Sequence, residues 1–285
     1  MTVPAQDEVT AARTLDRAGR RIDVMILVKA TPQPSKTYGD TVCVAGMALN
    51  PARWVRLYPV PFRYIPAESR FPKYTIVNVK VRSAGSDTRH ESLKIDAESI
   101  DIGAQAKTKA ARAAHLFDLP DLSTCEVVRM VKTDIHSSSL AKVRPVDADE
   151  LIFSEHGPWS VKQQANLDQF LSAGALFGPA DQPLLVPPRW KVQLRYRCSD
   201  RACPGHTQRI LDWELTAFQS KLRAPTDEER KAAIRRNFLE RPFGDSKDSQ
   251  IFIGNQENPV VRDRFTVLGM FYPETSEVPQ EARLF

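Results

Sequence analysis

The 285-residue chain has few of the features that settle a protein's class at once. No apolar run approaches the roughly 20 residues a membrane-spanning helix needs, so no such helix and no membrane partner are expected. The amino terminus, MTVPAQDEVTAARTLDRAGRR, lacks the apolar core of a signal peptide, which gives the expectation of a cytoplasmic protein. Cysteine is scarce. Four residues (Cys43, Cys125, Cys198, Cys203) in so long a chain do not make a disulfide framework, so they read as thiols. Neither G-x4-G-K-[ST] nor G-x-G-x2-G occurs, which removes the usual entry points to nucleotide hydrolysis and dinucleotide chemistry. Glycine is outnumbered by proline, 12 to 21, a balance that favours turns and rigid loops over long helices.

The rest of the composition is that of an ordinary soluble globular protein. Charged residues make up 26% and hydrophobic residues 42%, so disorder is disfavoured. The length allows one large domain or two ordinary ones. Lys plus Arg exceed Asp plus Glu by 40 to 35, a mild excess whose clustering matters more than its total.

The clearest clustering lies between Arg189 and Glu214, RWKVQLRYRCSDRACPGHTQRILDWE. Its first ten residues alternate strictly. Trp190, Val192, Leu194, Tyr196 and Cys198 lie on one side, with Arg189, Lys191, Gln193, Arg195 and Arg197 on the other. A period of two predicts a half-buried β-strand with a cationic outer face. The strand runs into Cys198-x4-Cys203-x2-His206, three soft metal ligands within nine residues, with Pro204-Gly205 turning the chain between the last two. This predicts a Zn2+ site with Cys198, Cys203 and His206 as ligands. Asp212, Cys125, Cys43 or water can complete the set; a protein ligand makes a closed structural knuckle, a water a hydrolytic centre. His206, Asp212 and Glu214 also form a candidate catalytic group, because Asp212 and Glu214 share a face if ILDWEL is a strand. If that segment instead begins a helix, Asp212 compensates the helix dipole.

Further strands are predicted at RIDVMILVKA, TVCVAGM, ARWVRLYPV, YTIVNVKVRSA and SLKIDAESIDI, a run of short strands that argues for a small barrel or sandwich. TCEVVRMVKTD and SLAKVRPVDADELIF read as more strands, and DSQIFIGNQ with DRFTVLGMFYP as a long-looped hairpin. Helices are expected at Ala104 to Phe117, at SVKQQANLDQFLSAG between a Ser160 cap and Gly174, and from Thr226 to Glu240 behind a Thr226/Glu229 capping box. From Arg53 to Lys73 the chain carries five cations against the single acid Glu68, interleaved with Trp54, Tyr58, Phe62, Tyr64 and Phe71. Guanidinium groups attract phosphate and aromatic faces stack bases, so Lys36, Arg53, Trp54, Arg56, Arg63, Tyr64, Arg70, Arg195 and Arg197 are the candidate nucleic-acid contacts.

The segment SKTYGDTVCVAGMALNPARWVRLYPV, through Ser35, Lys36, Gly39, Cys43, Val44, Ala45, Gly46, Trp54, Val55 and Arg56, resembles the opening of the bacterial dual OB-type domain family. The resemblance implies an OB-like barrel near the amino terminus and carries no reaction with it. The resulting expectation is an α+β protein: a polar tail over 1–20, an OB-like β-rich domain over 21–150, and an α+β domain with the Cys/Cys/His cluster over 151–285. Its expected role is to bind DNA or RNA. The alternatives are a metal-dependent nuclease or related hydrolase using His206, Asp212 and Glu214, and a protein-interaction component of a mobile-element or defence system.

Overall fold

A computed structural model describes residues 19–85, 87–172 and 185–278. Residues 1–18 of the expected polar tail and the Gly174 helix stop lie outside the described residues, and the tail's last residue, Arg20, already belongs to a strand. The amino-terminal strands are β1 (Arg20–Lys29), β2 (Gln33–Ser35), β3 (Gly39–Leu49), β4 (Ala52–Val60), β5 (Thr75–Ser83), β6 (Ser92–Ile95) and β7 (Asp101–Gln105). Five of them close into a barrel in the order β1-β3-β4-β6-β5, sealed by the β1–β5 pairing. Only β4 and β6 run parallel in this barrel. β1 is long enough to serve two neighbours, and its pairing with β3 shifts register between Ile26 and Val28. Its first half pairs with β5 and its second with β3.

Val24, Ile26, Val42, Val44, Leu57, Val77, Val79 and Leu93 fill the barrel. The opposite face of β1, β3 and β4 is also covered, since Met25, Leu27, Ala45 and Met47 belong to a second core with Leu140, Phe252 and Leu268. Burial on both faces explains why RIDVMILVKA is continuously apolar instead of alternating. Gly46 is required by close approach, because a Cβ there would overlap the Met25 carbonyl oxygen.

After α1 (Lys109–Leu116) come β8 (Asp121–Leu122), α2 (Thr124–Thr133), β9 (Leu140–Val143), β10 (Pro145–Glu155) and α3 (Val161–Ser172). The rest is β11 (Trp190–Cys198), β12 (His206–Arg209), α4 (Trp213–Lys221), α5 (Asp227–Arg235), β13 (Gln250–Asn255) and β14 (Phe265–Phe271). One sheet has the order β10-β11-β12 and another β14-β13-β9-β8, so residues 121–155 join the carboxy-terminal sheets. The hairpin of β13 and β14 forms as expected.

Two expectations need correction. The helix expected from Ala104 starts only at Lys109, because Ala104 and Gln105 end β7. TCEVVRMVKTD is the helix α2, not a strand, because Ser123 and Glu126 close a capping box. Thr124, Val127 and Val131 then face the core at helical spacing. Of the two readings left open for ILDWEL, the helix start holds: Asp212 caps α4, its side chain accepting from the Glu214 amide.

Candidate metal centre

Alternation along β11 sends Trp190, Val192, Leu194 and Tyr196 into the core and leaves Cys198 buried at its end. The chain then turns back through Gly205, at φ +92°, a left-handed conformation that favours glycine, and returns as β12 starting at His206. The amides of Cys198 and Gly205 both point at Cys203 Sγ, each at 3.4 Å. From the other side comes Cys125, in the first turn of α2. That turn is fixed by its capping box and by a 2.7 Å bond between Thr124 Oγ1 and Tyr196 Oη.

The ligand atoms of Cys125, Cys198, Cys203 and His206 all lie within 4.8 Å of one another. His206 Nε2 is 3.2 Å from Cys203 Sγ, 3.4 Å from Cys198 Sγ and 3.5 Å from Cys125 Sγ. One imidazole nitrogen has a single lone pair or a single proton, so it cannot hydrogen-bond three sulfurs at once. A tetrahedral ion with bonds of about 2.3 Å to sulfur and about 2.0 Å to nitrogen sets a sulfur–nitrogen edge of about 3.5 Å. The four residues therefore can hold a metal ion. Burial, then the neighbouring Cys198 and Cys203 sulfurs, pushes the Cys125 thiol up to about 12, and burial holds His206 below its ordinary value. Crowded thiolates need a shared cation, and a neutral imidazole is the form that binds one.

Cys125 thus completes the candidate ligand set. Cys43 lies in β3 and accepts from Arg56 instead. Asp212 is engaged elsewhere, at the seam between the barrel and the carboxy-terminal sheets. Lys73 Nζ donates to both its carboxylate oxygens, at 3.0 and 2.8 Å, and lies 3.1 Å from Glu214 Oε2. The two predicted catalytic carboxylates do meet, around a lysine. His206 does not join them, because it is turned into the cysteine cluster. Burial alone would lower the Lys73 pKa, but the two carboxylates outweigh it and raise it. Burial, then Lys73, lowers nearby Lys29 to about 8. Its ammonium donates to Phe71 O and lies 4.5 Å from the Phe62 ring centre. A cavity of about 190 Å3 opens beside Asp212 and Glu214, lined also by Phe218, Asn237, Phe238 and Tyr272. Sequence reasoning missed Lys29 and the role of Lys73. Their only signal, a lysine ending an apolar strand or a basic loop, is too common to mark a site.

The predicted cationic surface is largely consumed internally. Arg56 is buried and donates to Ser139 O and Oγ and to Cys43 Sγ. Trp54 packs edge-on against Phe252, and Tyr64 against Phe170. Arg63 pairs with buried Asp40 at 2.6 Å, and Arg70 donates to the carbonyls of Ile65 and Arg63. Arg53 is half-buried beside Trp54. On β11, Arg195 forms a two-bond contact with Asp149 and a third with Glu150, both on β10. Arg197 is exposed opposite Asp147, and Lys36 is exposed in the turn before β3. The alternating pattern of one strand could not reveal that its neighbour carries the opposing acids.

No helix among the described residues is long and apolar enough to cross a membrane. No curated protein matches the chain. Residues 20–118 match a family model described as Domain of unknown function (DUF8758), which spans the barrel and α1. Residues 120–285, more than half of the chain and all four candidate metal ligands, match a second model, and on that match the chain belongs to the family described as Domain of unknown function (DUF8757).

Proposed function

We propose that this chain is a zinc-stabilised protein that binds nucleic acid through an OB-like barrel. The observation that carries the reading is the closed five-stranded barrel in the order β1-β3-β4-β6-β5, with its single parallel pair. Setting β2 and β7 aside, this is the 1-2-3-5-4 strand order of OB barrels, an architecture widely used for oligonucleotides. The cationic balance of the chain, 40 Lys plus Arg against 35 Asp plus Glu, supports the choice of a polyanionic ligand. Three thiolates and an imidazole favour zinc over harder cations. Four protein ligands leave no open position, which suits a structural centre and not a hydrolytic one.

The test is direct. Purified under reducing conditions, the full chain should contain one zinc per molecule. It should also bind a fluorescein-labelled DNA or RNA oligonucleotide with log Kd rising linearly with log salt. Absence of salt-sensitive binding to every DNA and RNA probe overturns the reading.

A metal-dependent hydrolase is the second reading, favoured by the convergence of Lys73, Asp212 and Glu214 beside a cavity. With His206 committed to the cysteines, a catalytic cation would have to compete with Lys73 for the two carboxylates. Glu214→Gln discriminates: loss of Mg2+-dependent cleavage with unchanged affinity supports the hydrolase, and no cleavage by the unmodified chain removes it.

A further inference from the structure

If the barrel binds nucleic acid, its usual binding face is closed. In OB barrels the second and third strands offer their outer face to the ligand. Here those strands are β3 and β4, and their outer residues Ala45, Met47 and Trp54 pack against Leu140, Phe252 and Leu268. The cation on that face, Arg56, is buried with its donors on Ser139 and Cys43. Any ligand has to be held elsewhere on the barrel.

The opposite side carries cations in unfavourable register. Arg82 on β5 stands directly across from Lys94 on β6, and Lys80 directly across from Arg21 on β1. Like charges facing each other across an antiparallel pair destabilise a sheet, so two such pairs side by side call for a counter-anion. Lys80, Arg82 and Lys94 are exposed, and none has a carboxylate partner among the described residues. Arg21 donates to Asn78 and to the Ser99 carbonyl, again with no carboxylate. Lys80, Arg82 and Lys94 line a surface groove of about 670 Å3 that Tyr38, Pro59 and Pro61 wall on another side. Tyr38 is 41% exposed, and Lys36 lies two residues before it in the same turn. Two acids, Asp96 and Glu98, share the groove, so its three cations leave a net charge of one positive; Asp96 also caps a short 3-10 turn by accepting from the Glu98 amide.

We infer that the outer face of β1, β5 and β6 is a binding groove for single-stranded nucleic acid. Lys80, Arg82 and Lys94 hold successive phosphates, and Tyr38 offers its ring to a base. Alternate residues of a strand repeat at roughly 6.6 Å and neighbouring strands at about 4.8 Å, so these cations form a short two-dimensional array instead of a point site. A groove of this volume accepts a few nucleotides of one strand, near the lower end of the roughly 4–16 that one OB barrel covers.

This inference rests on the nucleic-acid reading, and one experiment separates their failures. Full-length protein is titrated by fluorescence anisotropy with a labelled mixed-sequence 12-mer as single-stranded DNA, as single-stranded RNA and as duplex. The same is done with the Lys80→Ala/Arg82→Ala/Lys94→Ala variant, and metal content and far-UV circular dichroism confirm that its fold is intact. The expected result is tighter binding of a single strand than of duplex, and at least tenfold weaker single-strand binding by the variant at low salt. The slope of log Kd against log salt should fall by about 2, or about 0.7 per lost phosphate contact. Tyr38→Ala should weaken binding by about tenfold while leaving that slope unchanged, as loss of one stacked base does. A variant that binds like the unmodified chain, with the same slope, overturns the groove and leaves the wider reading standing. Preference for duplex, or equal competition by poly-glutamate, overturns the single-strand assignment. No binding by the unmodified chain overturns both.

Discussion

The metal centre and the Lys73–Asp212 seam are both buried clusters of polar side chains, but the chain assembles them over very different ranges. Three of the four candidate metal ligands, Cys198, Cys203 and His206, fall within nine residues, and one tight turn brings them together. Lys73 and Asp212 are 139 residues apart and meet only because the barrel docks on the carboxy-terminal sheets. The first cluster joins one helix to one hairpin inside the carboxy-terminal half; the second ties the two matched regions to each other. A local cluster that waits for an ion should control whether its own half folds. A long-range charge pair should control how firmly two folded halves hold together.

The largest effect is expected at the metal. Structural zinc contributes about 10–16 kcal/mol of apparent binding energy in small zinc domains, as much as the roughly 5–15 kcal/mol that holds a whole domain folded. Cys198→Ser, or prolonged chelation under reducing conditions, should therefore abolish the cooperative melt of the carboxy-terminal half. Retention of the unmodified melting curve by metal-depleted protein would mean that the four side chains are satisfied without an ion.

Next comes the seam. Lys73→Met leaves the Asp212 carboxylate buried without its partner, a change that typically costs about 3–5 kcal/mol. Adding Asp212→Leu should recover most of that loss in urea titrations, less about 1 kcal/mol for the helix cap that Asp212 provides. If the double variant is as unstable as Lys73→Met alone, the pair is not what ties the halves together.

A pH effect isolates Lys29. Its value in the folded protein, about 8, lies below the ordinary 10.5, so between those limits the unfolded chain holds more protons and stability rises with pH. Lys73 is raised, so its contribution stays constant below about 10.5 and falls only above it. From pH 8 to 10 the unmodified chain should gain stability relative to Lys29→Met. A pH-independent difference between them would show that Lys29 is as well solvated in the fold as in the open chain.

The same contrast of range explains what could be read from the residues alone. Three residues of the candidate metal cluster, Cys198, Cys203 and His206, were legible because Cys and His carry specific chemistry and the turn between them is local, whereas Cys125 was one of several options for the fourth place. Strand β11 was legible because its partners do not affect its period. α2 was misread because its Val-rich composition suggests β structure, while the Ser123–Glu126 cap that decides the matter is a weak local signal. The fate of Arg56 was illegible, because nothing near it in sequence says that Phe252 and Ser139 will cover that face of the barrel. Charge pairing across strands is lost in the same way: Arg195 reads as a free cation until β10 is laid beside it.

The smallest effect, and the sharpest test of that last point, concerns Arg195. Its guanidinium is exposed and already held by Asp149 and Glu150, so Arg195→Ala should leave the melting temperature unchanged. It should also leave oligonucleotide affinity within about twofold, because little free charge is removed from the surface. Removing the acids is the informative change. Asp149→Ala/Glu150→Ala frees Arg195 beside exposed Arg197 and creates the cationic strand face that β11 suggests when considered by itself. Single-strand affinity at low salt should then rise and become more salt-dependent. If instead Arg195→Ala alone lowers affinity as strongly as the changes at Lys80, Arg82 and Lys94, the β11 face contacts the ligand despite its acids. The division between a neutralised carboxy-terminal sheet and a cationic barrel would then have to be abandoned.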